Sequence, residues 1–283
     1  MLVAIVAHHK TPTNVALAGS RPGVVVLTPD EALRALTGDD IAIGRLDVAA
    51  ALDGIESGLW ELARLKAAGV RVLNGPEPLV AAHDKLATAR SLAAAGVPHP
   101  QTAHITTPTA PVPFAPPVVV KPRFGSWGRD VVLCEDFAAL RSCLSDDSRR
   151  AWFRSHGALI QELVPPRGHD LRIVVAGSTV VGAVRRVAAP GEWRTNVALG
   201  ATRQRITPPV EASELAIAAA RAIDADLVGV DLLPTPEGGY VVLELNGAVE
   251  FNEQYALDEG DVFAKTLAAV LPAPEPAPTA AVA

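Results

Sequence analysis

Gly229-Val230-Asp231-Leu232-Leu233 and Leu243-Glu244-Leu245-Asn246, with the turn Pro234-Thr235-Pro236-Glu237-Gly238-Gly239 between them, read as an antiparallel hairpin of apolar strands. Side chains alternate along a strand, so Glu244 and Asn246 share a face. A turn centred on 236–237 puts Asp231 opposite Val242 on that same face, with Glu244 as its diagonal neighbour roughly 7–8 Å away. Two carboxylates and an amide thus meet at the end of strands that are otherwise valine and leucine. Acids buried among such residues need a compensating cation. An all-oxygen donor set suits magnesium, above all when the ion also holds phosphate oxygens. The competing reading is a solvated sheet face carrying ordinary acids.

Upstream, Val118-Val119-Val120-Lys121-Pro122-Arg123-Phe124-Gly125-Ser126-Trp127-Gly128-Arg129 ends a buried strand on a lysine and continues as a glycine-spaced loop. That pattern places one cation and several amides around a phosphate. It is neither a Walker loop nor a dinucleotide fingerprint. Alone, it is equally a plain hairpin turn. Arg172, Arg185-Arg186 and Arg194-Thr195-Asn196 form a third group, whose planar guanidinium forks suit phosphate and carboxylate. Charge on a sheet edge explains them equally well. Cys134 and Cys143 have no evident histidine partner and no metal-ligand spacing, and no Gly-x-Ser-x-Gly elbow occurs. Positioning and charge neutralisation must therefore carry any chemistry, as in phosphoryl transfer.

Around these motifs the chain reads as an α/β protein. Val3–Ala7, Val24–Leu27, Ile41–Ile43 and Val70–Leu73 look like buried strands of a parallel sheet, with a helix from Ala49 to Ala68. Asp84–Ala95 is a further helix, and the proline-rich run 106–117 a surface connector. A second unit holds Val118–Lys121, Val131–Leu133, a helix near Asp136–Leu144 and strand Leu159–Leu163. A third holds the hairpin Leu171–Val175/Thr179–Val187, helix Ala212–Ile223, the hairpin described first, and helix Val262–Leu271. The expected division is 1–82, 83–158 and 159–271, with a disordered Pro/Ala-rich tail at 272–283.

The chain has 283 residues, 49% hydrophobic, and a net charge of −6, which disfavours a nucleic-acid surface. No apolar run approaches the roughly 18–20 residues that span a bilayer. The start reads as a strand rather than a leader, so a cytoplasmic location and unbonded cysteines are expected.

In this order, the motifs make the chain resemble ATP-grasp ligases of the RimK/LysX type over roughly Leu46 to Leu271. The resemblance implies an ATP-grasp fold preceded by an α/β domain. It implies ATP-dependent joining of a carboxylate to an amine through an acyl phosphate, with release of ADP. Lys85 and Lys121 would contact the ATP phosphates, and Gly125, Ser126, Trp127 and Gly128 would fold over them. Gln161-Glu162-Leu163-Val164 would meet the adenine edge, and Asp170 would close that segment. Asp231, Glu244 and Asn246 would hold two magnesium ions, with manganese as the alternative. Arg194, Asn196 and Arg185 would face the acyl phosphate and substrate. After Asn246 the run Gly247-Ala248-Val249-Glu250-Phe251-Asn252 departs from the Ser-Pro-Gly of RimK proteins and is nearer the LysX group's Asn-His-Thr-Met-Glu-Phe. LysX-type enzymes act on a strongly acidic carrier protein, and like charge slows such an encounter for a chain at −6. A small amino acid or peptide is therefore the favoured acceptor, with a carrier protein as the alternative and a homo-oligomer as the expected assembly. A catalytically silent, nucleotide-binding regulator on the same fold is the rival class. The presence of all three of Asp231, Glu244 and Asn246 argues against it.

Overall fold

A computed structural model describes residues 1–272, so the expected tail lies outside the described residues apart from Pro272. Three separate sheets organise the chain. The first is parallel, in the order β2-β1-β3-β4, formed by β1 Val3–Val6, β2 Val24–Leu27, β3 Ile41–Gly44 and β4 Arg71–Leu73. β1 and β3 are buried throughout, as parallel strands covered on both faces must be. Helices α1 Pro12–Gly19, α2 Pro29–Ala35 and α3 Leu59–Ala67 supply the crossovers. α1 and α2 each start on a threonine cap followed by proline, and α2 closes a full capping box between Thr28 and Glu31. The helix expected from Ala49 is shorter than anticipated and begins only at Leu59. Residues 48–55 instead fold back on themselves, with a Val48–Ile55 bridge and Gly54 and Gly58 at positive φ, which ends helical propagation there.

α4 Pro76–His83 and α5 Lys85–Ala94 lead into the second sheet, ordered β5-β8-β6-β7 and wholly antiparallel. Its strands are β5 Thr102–Ile105, β6 Val118–Pro122, β7 Val132–Cys134 and β8 Ala158–Glu162. α6 Phe137–Asp147 and α7 Ala151–His156 cover it. β8 pairs with both β5 and β6, so the second sheet reaches Glu162 and the division expected at 158/159 falls inside it. Cys134 and Cys143 are unbonded thiols.

The third sheet, β11-β10-β9-β12-β13, is antiparallel and contains the hairpin quoted at the outset. Its strands are β9 His169–Ala176, β10 Thr179–Val187, β11 Thr202–Arg205, β12 Leu227–Pro234 and β13 Tyr240–Asn246. α8 Val210–Ala222 packs on one face through Ala212, Ala216, Ala219 and Ala220. α9 Val262–Val270 packs on the other, in a core continuous with the first sheet. No helix of the described residues is long and apolar enough to cross a membrane.

Asn74 fastens the first sheet to the third. Its side chain accepts from the backbone N–H of Asp226 at 2.9 Å and of Leu227 at 3.0 Å, and donates to the Leu227 carbonyl at 2.5 Å. It sits at φ +48, where asparagine is tolerated better than most residues. Asn74→Ala forfeits these bonds, strands buried backbone groups and strains the new residue. A loss of about 2–4 kcal/mol is expected, read as a lower urea midpoint at unchanged slope. A midpoint equal to wild type would remove the fastening role.

Candidate active site

A cleft open to solvent lies between the second and third sheets. Lys85, Lys121, Arg186 and Arg194 line it, together with apolar Val119, Leu163, Leu233 and Leu243. A flat, apolar group and a polyanion can thus be held in one cleft.

Two lysines reach the cleft from different elements. Lys85 opens α5 beside the capping Asp84, which is itself gripped by Arg123 through Nε at 2.7 Å and Nη2 at 2.5 Å. Lys85 Nζ donates to the Gly125 carbonyl at 2.5 Å and lies 3.7 Å from Glu244 Oε2. This lysine therefore ties the glycine loop to the third sheet. Lys121, buried on β6, donates to Gln161 Oε1 at 2.7 Å, and Gln161 in turn donates to Thr102 Oγ1 at 3.0 Å. The lysine's hydrogen-bond partner among the described residues is thus a neutral amide.

Trp127 and Gly128 adopt positive φ, and the Trp127 ring is half exposed. The turn rests on the 194–196 segment. Arg194 Nη1 donates to the Gly128 carbonyl at 3.1 Å, and a Cβ at Gly128 would come within 2.8 Å of Asn196 Oδ1. Arg194 is also gripped by Glu192, whose carboxyl this guanidinium holds down at about 2.

A ladder of buried charge crosses the third sheet. Arg172 donates to Asp231 through Nε and Nη2, both at 2.6 Å, from the position directly opposite on β9. Arg186 donates to Asp231 at 2.8 Å and to Asp170 through two nitrogens, while Thr195 Oγ1 donates to Asp170 at 2.6 Å. Burial raises the Asp231 pKa, but Arg172 and Arg186 outweigh it and hold the carboxyl well below the usual carboxylate range.

The register differs from the expected one. The turn centres on Glu237, one half-step beyond the expected position, and a bulge that leaves Leu243 unpaired adds a further residue, so Asp231 lies directly opposite Glu244 and not opposite Val242. The two acids are thereby nearer neighbours than a regular hairpin would make them. Asn246 follows on the same strand, and its buried Nδ2 has no hydrogen-bond partner. Among the described residues no three His, Cys, Asp or Glu side chains form a metal-ligating group. The donor set nonetheless fits a hard divalent cation that shares its coordination with phosphates, which needs only one or two carboxylates. Glu244 has one loose ion pair, the Asn246 amide turned end for end offers its oxygen where the orphaned nitrogen stands, and Asp231 keeps a lone pair beyond its three arginine contacts.

Of the residues expected from sequence, Lys85, Lys121, Gly125, Ser126, Trp127, Gly128, Gln161, Glu162, Leu163, Val164, Asp170, Arg194, Asn196, Asp231 and Glu244 all line this one cleft. Asn246 lines the adjoining cavity with Arg172, Arg186 and Arg203. Arg185 does not belong. It is exposed, on the strand face opposite to buried Arg186, because adjacent strand residues point apart. Sequence reasoning passed over Arg45, His83 and Arg203. Arg45 carried the same signal as Lys121, a cation at the end of a buried strand.

A nucleotide cleft between two antiparallel sheets, with a glycine loop over lysines and a paired acid site behind, defines an ATP-dependent ligase scaffold. The RimK-like ATP-grasp domain model matches residues 82–270, two thirds of the chain, and the chain belongs to that family. The glutamate–LysW ligase ArgX of Sulfurisphaera tokodaii is 31% identical over 215 residues, covering 74% of this chain and 76% of the relative. The alpha-aminoadipate–LysW ligase LysX of the same organism is 30% identical over 196 residues, covering 68% of each. The crystal structure of a RimK domain ATP-grasp protein from Sphaerobacter thermophilus has the same fold, with TM-score 0.68 at 20% identity over 96% of this chain and 100% of that one. The protein is an enzyme, an ATP-dependent carboxylate–amine ligase. ATP-grasp ligases use ATP with magnesium or manganese.

Burial pushes the Lys121 amine down to about 8, with Lys85 adding to the shift and Glu244 opposing it. If Lys121 meets the ATP phosphates, they stabilise its charged form and the lysine stays protonated in the complex. Below pH 8 both states carry the proton and affinity is level; above it, free enzyme alone loses the proton. ATP affinity should therefore weaken, by up to about tenfold per pH unit, as pH rises above about 8. Lys121→Arg should flatten that limb. The check is ATP titration between about pH 7 and 9.5; a wild-type profile as flat as the arginine variant's would refute Lys121 as a phosphate contact.

Proposed function

We propose that the enzyme activates a substrate carboxylate as an acyl phosphate and transfers the acyl group to the amine of an amino acid, releasing ADP and phosphate. The observation that carries this reading is the continuity of two compartments. Ser126, Trp127, Arg186, Asn196 and Glu244 line both the nucleotide cleft and the adjoining cavity that contains Arg172, Arg203 and Asn246. A γ-phosphate at the inner end of one compartment would meet a carboxylate held by arginines in the other.

In this scheme Lys85 and Lys121 take the phosphates, and the loop around Ser126–Gly128 excludes water from them. Gln161–Val164 border the base. Two magnesium ions, or manganese, held by Asp231, Glu244 and Asn246, would neutralise phosphate charge. A carboxylate oxygen attacks the γ-phosphorus and ADP leaves. The amine nitrogen then attacks the acyl carbon, loses its proton and expels orthophosphate. Arg194 and Asn196 stand where charge develops on the transferring group, and fixed donors of that kind lower the barrier. The division into an N-terminal domain and two ATP-grasp subdomains belongs to the same proposal, with ATP between the latter. The relatives' names support glutamate or a similar amino acid as one substrate and a carrier protein as the other. The charge of −6 favours a small amino acid or peptide over an acidic carrier protein.

With ¹⁸O in the substrate carboxylate, one label should appear in released phosphate, and the nucleotide product should be ADP. AMP with pyrophosphate, or unlabelled phosphate, overturns the acyl-phosphate route. Glu244→Gln should lower turnover by at least about a hundredfold, since Glu244 faces the phosphates and is only loosely paired. Its Tm should stay near wild type. Asp231→Asn is a poorer probe, because it also leaves Arg172 and Arg186 under-neutralised inside the sheet, at about 3–5 kcal/mol of stability. Unchanged ADP release in Glu244→Gln would remove Glu244 from the site.

A further inference from the structure

Among the described residues, four buried side-chain nitrogens have no hydrogen-bond partner: Arg45 Nη1, His83 Nε2, Arg203 Nε and Asn246 Nδ2. Native folds tolerate few such groups, and each calls for an explanation. All four belong to two adjoining cavities. Arg45 lines one, and His83, Arg203 and Asn246 line the other. The cavities share a wall made of Asp47, Ser126, Trp127, Ala248 and Glu250. The turned amide accounts for the Asn246 nitrogen and burial keeps the His83 ring neutral, so the orphaned guanidinium nitrogens of Arg45 and Arg203 are the ones that call for an anionic ligand.

Arg45 is the most constrained of the four. It follows β3, its side chain is wholly buried, and its other nitrogens are committed. Nε donates to Asn14 Oδ1 at 2.6 Å, while Nη2 donates to the Val249 carbonyl at 2.7 Å and to Glu250 Oε1 at 3.3 Å. The guanidinium is therefore fixed in place, with only Nη1 left over. That one nitrogen can still donate a charge-assisted hydrogen bond to a carboxylate.

The acids around the cavity are not equivalent. Glu250 is occupied by Thr11, Thr13 and Arg45. Glu56 accepts from the Asp47 N–H at 2.9 Å and lies 3.4 Å from His9. Asp47 accepts only from the Val48 N–H among hydrogen-bond donors, has His83 3.9 Å away, and leaves 40% of its side chain exposed on the shared wall. A cation entering the cavity meets Asp47 as the open acid.

We propose that this cavity binds the amine substrate as a free α-amino acid, its carboxylate on Arg45 and its ammonium on Asp47, so that Arg45 selects for a free α-carboxylate. The inference rests on the ligase reading and adds which side chain chooses the amine. Asp47 lies on the wall shared with the arginine-lined cavity, so the amine is directed toward the compartment in which the acyl group is activated. A peptide or amine acceptor without a nearby carboxylate leaves Arg45 unmet and is rejected.

The test compares the common free α-amino acids with their α-carboxamides on the full chain, in the presence of a non-hydrolysable ATP analogue. Binding is read by thermal shift and calorimetry. At least one free acid should bind wild-type enzyme, and its carboxamide should bind about ten- to a hundredfold more weakly, the range for losing a charge-assisted pair. Arg45→Gln should weaken the acid by a similar factor, leave the carboxamide as it was and retain ATP binding, which also reports that the variant is folded. Wild-type discrimination needs no variant, so a misfolded Arg45→Gln still leaves a decision. A carboxamide that binds as well as its acid, or the absence of binding by every acid, overturns the assignment. ADP release from ATP with the same amino acids and a carboxylate co-substrate is measured in parallel. Binding without ADP release would strike the ligase reading while leaving the Arg45 site in place.

Discussion

Arg186 answers two buried aspartates at once, and the third sheet depends on it. Asp170 and Asp231 are almost wholly sequestered, on the neighbouring strands β9 and β12, and would repel each other there. The guanidinium of Arg186 bridges them, and Arg172 adds a second bidentate grip on Asp231. Burying this much charge is expensive unless every member is paired. Here each carboxylate accepts three donors, so the ladder tolerates its own burial. It also settles where the sheet can be altered. A neutral residue at any rung strands the charges on either side, whereas Glu244 at the rim, with one loose ion pair, can change with little effect on packing.

Everything at the rim is then arranged against a rigid wall. The glycine loop is held from below by Lys85 on the Gly125 carbonyl and from the side by Arg194 on the Gly128 carbonyl. Asp84 and Arg123 fix the point at which α5 meets that loop. Lys121 comes from the second sheet and the acids from the third, so the proposed site is complete only while both sheets are correctly placed. Asn74 and the core shared by the first and third sheets supply that placement at a distance from the cleft.

Much of this was legible in residue order. The parallel first sheet follows from uniformly apolar four-residue runs, and the glycine loop and the acid-bearing hairpin stood out by composition. What escaped was parity and pairing. A turn centred on Glu237 and the additional residue Leu243 at the bulge together move the partner of Asp231 from Val242 to Glu244, and no local feature of the sequence announces either. Arg185 and Arg186 are chemically identical, and only strand phase decides that Arg186 faces inward. Strand β8 belongs with β6 through antiparallel pairing across about forty residues, which periodicity does not encode. Arg45 was hidden because its partners, Asn14, Val249 and Glu250, come from opposite ends of the chain.

Ser126 and Trp127 line the nucleotide cleft and both of the smaller cavities. One short turn is therefore a common partition for three compartments, and it cannot shift toward one without altering the room in the others. Thermodynamic linkage makes that influence mutual: whatever factor the nucleotide imposes on affinity in the small cavities, their occupants impose in return on the nucleotide. Order of addition then becomes a property of the partition rather than of any single contact, and the half-exposed indole of Trp127 stands where all three ligands would register.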